Sequence, residues 1–210
     1  MLMKKGLFIS VEGIDGAGKS THVSFIREYL ESKGKTVIVT REPGGTELGE
    51  QIRNILLHSS NMHPNTELLL MFASRQELID KVLRPNLEQG VCVVADRFID
   101  ASLAYQGAGR GLGMAKVRQV INWLEPVLET DLTFLFNVPL SIALERVAKN
   151  KNKDRIEKES IDFFTKVQNA YLDIAKVEPE RMKIIKTNRN RTETRAEISK
   201  HLDYLLDKQQ

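Results

Sequence analysis

The sequence predicts an α/β fold, a five-stranded parallel sheet with helices on both faces, and three observations carry that expectation. Short apolar runs alternate with stretches of helical periodicity along the 210 residues, the signature of successive strand–helix–strand units. The runs at 91–95 and 132–136 are nearly all apolar, as strands covered on both faces require. The first run also leads through a glycine-rich turn, Gly13-Ile14-Asp15-Gly16-Ala17-Gly18-Lys19-Ser20, directly into a helical pattern.

Each element has its own local reason. Residues 7–11 form a continuous apolar run, and beyond the turn Val23, Ile26 and Leu30 recur at helical spacing, giving a helix over about 19–33. A strand at 36–40 precedes a helix over about 47–57, then one long helix over about 65–89 that Gly90 ends. The strand at 91–95 follows. Between 102 and 113, Ser102, Tyr105 and Gln106 run into Gly107, Gly109, Gly111 and Gly113, which reads as a polar, aromatic patch entering a flexible loop. A helix over about 114–125, a strand at 132–136 and a helix over about 139–150 come next. Ser160 suits the N-cap of a helix over about 160–176, and a strand at 182–186 and a helix over about 192–207 complete the order. With no internal repeat and no linker, residues 1–210 are expected to form a single domain.

Composition narrows the function classes. Hydrophobic residues at 41% and charged residues at 28% are ordinary for a globular protein. A net charge of +3 is too small to argue for nucleic acid as a partner, and no apolar stretch reaches membrane-spanning length. Glu12 interrupts the apolar N-terminal run, so no signal peptide is expected. Cys92, the single cysteine, sits in an apolar run and reads as a buried small hydrophobe in a reducing, cytoplasmic setting. His22, His58, His63 and His201 lack the spacing of a metal site or a catalytic pair and read as structural or exposed.

The turn at 13–20 fits G-x-x-x-x-G-K-[ST] at every fixed position, which implies a nucleoside triphosphate site. Its glycines let successive backbone N–H groups face one anion, Lys19 can reach the outer phosphates, and Ser20 can offer its hydroxyl to Mg²⁺. The helix that the loop opens adds the favourable end of its dipole. Ligands in such sheets gather at the carboxyl ends of strands, and Arg41-Glu42-Pro43-Gly44-Gly45-Thr46 and Asp96-Arg97-Phe98 both follow strands. Asp96 is placed to steady Mg²⁺ through water, or else to cap a helix. Arg97 suits a second phosphate, or else a surface ion pair. The 41–46 segment is a turn in any reading, and composition leaves open whether Arg41 and Glu42 face a ligand. Phe72 and Arg75 share a helix face and could hold a base, although such a Phe is more often core. The basic run Arg146, Lys149, Lys151, Lys153 and Arg155 is either a solvated helix end or a lid that closes on triphosphate.

Taken together these pieces resemble the bacterial thymidylate kinases. The matching stretches are 12–21, 41–46, 96–98, Ala104-Tyr105-Gln106-Gly107 and Asp154-Arg155-Ile156-Glu157, and their order spans nearly the whole chain. The resemblance implies the P-loop nucleoside monophosphate kinase fold with a short lid at about 146–157, transfer of the γ-phosphoryl group of ATP to dTMP, and Mg²⁺. It implies ATP contacts along Gly13, Ile14, Asp15, Gly16, Ala17, Gly18, Lys19, Ser20 and Thr21. It places Ser20 on the metal, Asp96 beside it through water, and Asp15 as a further candidate there. Asp15 would also approach the 3′-hydroxyl of dTMP, Arg97 would take its phosphate, Arg75 its base, and Tyr105 would disfavour a ribose 2′-hydroxyl. Ser102 and Gln106 would line the same pocket, with Glu42 and Arg53 as further contacts. The family usually stacks thymine on a Phe four residues before the base-reading Arg; here Met71 holds that place and Phe72 follows it, so either can be the partner. No arginine occupies the P-loop, which leaves Arg146 and Arg155 as candidates for transition-state stabilisation, with Arg155 favoured. A homodimer is implied by resemblance alone. Rival readings are another nucleoside monophosphate or deoxynucleoside kinase, or a P-loop switch; the latter lacks the Asn-Lys-x-Asp stretch that reads guanine in GTPases.

Overall fold

The computed structural model describes residues 6–124 and 127–209. Its sheet has five parallel strands in the order β2-β3-β1-β4-β5: β1 Phe8–Glu12, β2 Val37–Arg41, β3 Cys92–Asp96, β4 Leu132–Asn137 and β5 Met182–Lys186. The central strands β1, β3 and β4 are buried almost end to end, so both sheet faces must be covered. Helices supply that cover: α1 Lys19–Ser32, α2 Glu47–His58, α3 Pro64–Leu78, α4 Arg84–Glu88, α5 Ile99–Ser102, α6 Met114–Ile121, α7 Leu140–Ala148, α8 Ile161–Val177 and α9 Arg191–Asp207. Register aligns Val11 and Arg41 with Asp96, so the ends of β1, β2 and β3 share one rim. No described helix is long and apolar enough to cross a membrane.

The strands lie within a residue of their expected positions, and Ser160 caps α8 by accepting from the Phe163 N–H at 3.1 Å. Three expectations need correcting. The helix expected over 65–89 is broken by a π-helical turn, Ile79–Leu83, between α3 and α4. Pro85 has no N–H for an i−4 carbonyl and its ring needs room, which the wider turn provides. Leu103–Gly109 continue α5 as a π-helix, so Gly107 and Gly109 are helical and the loop expected at the glycines is confined to 110–113. Gly109 serves close packing there: a Cβ on it would sit 2.6 Å from the Phe163 ring of α8. The helices expected to reach 125 and 150 end at Ile121 and Ala148; residue 125 itself lies outside the described residues, as do the first five residues of the N-terminal run.

Cys92 is buried, and the histidines take local structural places. His63 caps α3 through Nδ1, and His22 of α1 stacks on Phe136 of β4 with centroids 5.0 Å apart. Burial, reinforced by the nearby charges of Arg195 and Arg191, pushes the His22 imidazole down to about 4 from 6.5. A base whose folded value is depressed favours the fold above its unfolded value and loses that contribution as pH falls. Stability should therefore decline as pH drops from about 6.5 to about 4, because only the unfolded chain takes up the proton there. Urea midpoints measured across that range should fall less steeply for His22→Gln than for the parent chain; parallel profiles would contradict this origin.

Candidate functional site

The glycine-rich loop closes between β1 and α1. Gly16 has φ 79°, and a Cβ there would collide with the Ala143 carbonyl oxygen, so α7 can lie against the loop only because that position is glycine. Lys19 folds over the loop, its Nζ donating to the carbonyl oxygens of Gly13 at 3.1 Å and Ile14 at 3.2 Å. Two further segments brace it: Arg146 Nη1 donates to the Gly16 carbonyl at 2.8 Å, and Thr187 Oγ1 to that of Ala17 at 2.8 Å. Burial, then repulsion from Arg97, lowers the Lys19 ammonium below its usual range, while Asp15 pulls the other way.

Asp15 and Arg97 join this loop to the neighbouring cleft. Arg97 Nη2 donates to Asp15 Oδ1 at 2.7 Å and Nη1 to the Gly13 carbonyl at 3.0 Å, while the guanidinium lies 4.8 Å from the Tyr105 ring centroid. Burial alone would raise the Asp15 carboxyl, but Arg97 and Lys19 overcome it and hold the group down at about 2. Arg97 also adopts φ 75°, a left-handed conformation uncommon for a non-glycine residue. Glu12 secures it from below: Oε1 accepts from the Phe98 N–H at 2.7 Å and Oε2 from the Tyr171 hydroxyl at 2.7 Å. Burial, with Asp100 adding repulsion, raises the Glu12 carboxyl well above the carboxylate range.

The cleft beside the loop is lined by Asp15, Arg97, Tyr105 and Gln106 on one side and by Glu42, Arg53 and Met71 on another. Phe72, Arg75 and Ser102 stand behind that lining rather than in it. Arg75 is fully buried, with Nε on Glu42 Oε2 at 2.8 Å and Nη2 on the Phe98 carbonyl and Ser102 Oγ at 3.0 Å each. The Phe72 and Phe98 ring centroids lie 4.6 and 5.4 Å from its guanidinium. Its Nη1 and Glu42 Oε1 are buried and have no partner among the described residues. Arg53 donates to the Pro43 carbonyl at 2.9 Å across the turn that follows β2.

The two arginines of the expected lid are split. Arg146 is at the loop, whereas Arg155 lines the cleft, where its backbone N–H donates to the Leu57 carbonyl at 3.0 Å and its Nε to that of Leu56 at 2.9 Å. Those carbonyls end α2 and have no helical partner of their own. Arg155 Nη1 completes the docking on Glu67 Oε2 at 2.7 Å. Asp154 folds the local turn by accepting from the Ile156 and Glu157 N–H groups at 2.8 Å each.

A Mg²⁺ ion fits the residues on the donor side. Ser20 and Asp96 line one cavity, and Asp96 Oδ1 is buried without a partner among the described residues. One hydroxyl and one carboxylate suit a cation that takes its remaining ligands from phosphates and water. Sequence reasoning assigns no site role to Glu12, Glu67 or Tyr171. Glu12 carries a weak signal as the charge that ends an apolar strand. Glu67, Met71 and Arg75 are spaced four apart, which puts them on one helix face toward the cleft.

A family model described as thymidylate kinase matches residues 11–198. A thymidylate kinase of Nitrosomonas europaea is 48% identical over 198 residues, covering 94% of this chain and 92% of that protein. One from Neisseria meningitidis serogroup B is 45% identical over 200 residues, covering 95% and 97%. The crystal structure of thymidylate kinase from Ehrlichia chaffeensis superposes with a TM-score of 0.79 at 32% identity, covering 95% of this chain and 99% of that one.

The Glu42–Arg75 pair is the most enclosed of the charges at the cleft. Glu42→Ala would leave a fully buried guanidinium uncompensated and should destabilise the fold by about 3–5 kcal/mol, read as a urea-denaturation difference at pH 7. A loss under about 1 kcal/mol would mean that the pair is dispensable.

Proposed function

The chain belongs to the thymidylate kinase family and transfers the γ-phosphoryl group of ATP to dTMP, and from that premise we propose how its residues divide the work. Lys19 and the backbone amides of the 13–20 loop hold the ATP phosphates. Ser20, and Asp96 through water, would hold Mg²⁺, which when bound would supply charge neutralisation. dTMP occupies the adjoining cleft with its phosphate at Arg97, its 3′-hydroxyl at Asp15 and its sugar against Tyr105. The observation that carries this reading is the Asp15–Arg97 ion pair: Asp15 belongs to the donor loop, and both residues line the acceptor cleft.

Met71 is the face that thymine meets, because it lines the cleft while Phe72 packs behind it under Arg75. Arg75 reads the base through Nη1, which has no partner among the described residues, with Ser102 and Glu42 holding the side chain in place and Gln106 beside it. The lid at about 146–157 brings one arginine to each side of the transfer, Arg146 at the donor loop and Arg155 at the acceptor. The attacking phosphate oxygen is already ionised near neutral pH, so no general base is required, and catalysis consists of positioning and charge stabilisation. The chain acts as a single domain, in the cytoplasm, and as a homodimer. Exposed Leu48 and Ile55 of α2 and Leu69 of the adjacent α3 offer an apolar surface for the second copy. A Leu69→Glu variant should elute as a monomer in light-scattering chromatography if they do.

The direct test is ADP release with ATP and Mg²⁺ and each nucleoside monophosphate in turn. dTMP should exceed UMP, dCMP and AMP by at least about tenfold in kcat/KM, roughly 1.4 kcal/mol of barrier. Stronger turnover of AMP or UMP would sink the assignment. Arg97→Ala should lower kcat/KM for dTMP by about 100-fold or more, roughly 2.7 kcal/mol, and a loss within about threefold would remove Arg97 from the acceptor site.

A further inference from the structure

Glu67 is a buried carboxylate, 1% exposed, set on α3 among leucines. It accepts from groups on two other segments. Gln106 Nε2 reaches Oε1 at 2.7 Å, Arg110 Nε reaches Oε2 at 3.0 Å, and Arg155 Nη1 reaches Oε2 at 2.7 Å. Arg110 also pairs with Glu159, just before α8, so two guanidiniums face two carboxylates and the cluster is neutral. Such burial is tolerated because each charge is paired. Helix α3, the π-helical segment and the lid thus meet on one side chain.

Two of its partners line the acceptor cleft, Gln106 and Arg155. A carboxylate only accepts, so it holds the Gln106 amide with its NH₂ inward and its Oε1 turned away. That Oε1 and Arg155 Nη2 are both buried and lack partners among the described residues. Buried polar groups are rarely left so, and each belongs to a cleft that must receive a ligand. The free amide oxygen suits a ring N–H, which thymine has at N3 and cytosine lacks.

We propose that Glu67 is a positioning residue of the reaction, orienting Gln106 and docking Arg155 with one carboxylate, so that lid closure and base reading are coupled. This rests on the reading of the cleft as the acceptor site. Loss of the Glu67 charge frees the Gln106 amide to turn over, and it releases the lid arginine from the cleft. Neither change touches the donor loop.

Steady-state kinetics of Glu67→Gln with ATP and either dTMP or dCMP, alongside thermal melts, test the coupling. KM for dTMP should rise at least about tenfold while KM for ATP stays within about twofold, and the preference for dTMP over dCMP should fall at least about fivefold. Added to a Gln106→Ala, Arg155→Ala background, the same change should cost under about threefold more, since its targets are already gone. The proposal is overturned if dTMP and ATP parameters decline in proportion with discrimination intact, or if Glu67→Gln costs as much in that background as alone. Should it fail to fold, Glu67→Asp keeps the charge but is one methylene too short to hold both partners, and the same readouts apply. Should neither fold, Gln106→Ala and Arg155→Ala decide alone: no hydrogen bond joins those side chains among the described residues, and effects that multiply independently within twofold would overturn the coupling. A parent enzyme that prefers an acceptor other than dTMP would instead refute the acceptor assignment.

Discussion

Arg97 reaches from the end of β3 across to the loop after β1, and the rest of the site is arranged around that reach. Its guanidinium bonds Asp15 and the Gly13 carbonyl, which ties the anion-binding loop to the wall of the cleft. The backbone at Arg97 is left-handed, a conformation that persists only when its surroundings enforce it. Those surroundings are the ladder bond from the Arg97 N–H to the Val11 carbonyl at 3.0 Å and the Glu12 carboxyl on the Phe98 N–H. Parallel pairing of β1 with β3, in a register that sets Val11 opposite Asp96, makes both possible. A one-residue slip would carry Arg97 away from Asp15.

Enclosed charge is the recurring material of this site, and its arrangement follows from the cost of taking ions out of water. Three of its carboxylates are paired with cations: Asp15 with Arg97 and Lys19, Glu42 with Arg75, Glu67 with Arg110 and Arg155. Glu12 is the exception in kind. Among the described residues it is hydrogen-bonded by the Phe98 N–H and the Tyr171 hydroxyl and by no guanidinium, and its carboxyl is raised where that of Asp15 is lowered. Two acids three residues apart are thus driven in opposite directions by environment alone. Asp15 stays ionised where the 13–20 loop meets the cleft, and Glu12 serves as a structural hydrogen-bonding group beneath it.

The atoms left unpaired are as informative as the pairs. Asp96 Oδ1, Arg75 Nη1, Gln106 Oε1 and Arg155 Nη2 are buried without partners among the described residues, and all belong to residues in or directly behind the two cavities. His22 Nδ1 and Arg195 Nε are likewise unpartnered among the described residues and line neither cavity, so an orphan atom does not by itself mark the site; those at the cavities stand where a polar ligand can complete them. The rigid packing behind them, with Arg75 between the rings of Phe72 and Phe98, keeps those atoms in position before the ligand arrives.

What depends on near neighbours is legible in the chain's residue order. All five strands, the loop at 13–20, the Ser160 cap and the family are legible there, because pleat and helix periods, glycine geometry and motif spacing act over a few residues. Its misreadings at 79–83 and 103–109 were also local in form, since runs of glycine and an internal Pro have more than one helical solution. Which side chains meet depends instead on how the packed elements lie. Arg75 finds Glu42 from 33 residues away, Arg97 finds Asp15 from 82, Arg155 finds Glu67 from 88, and Arg146 finds the loop from 130. That packing also chose Met71 over Phe72 as the wall of the cleft, a difference of one helical position about 100° apart in azimuth. Both residues are apolar and both are buried, so only the helices and strands packed around α3 decide which of them faces the cleft.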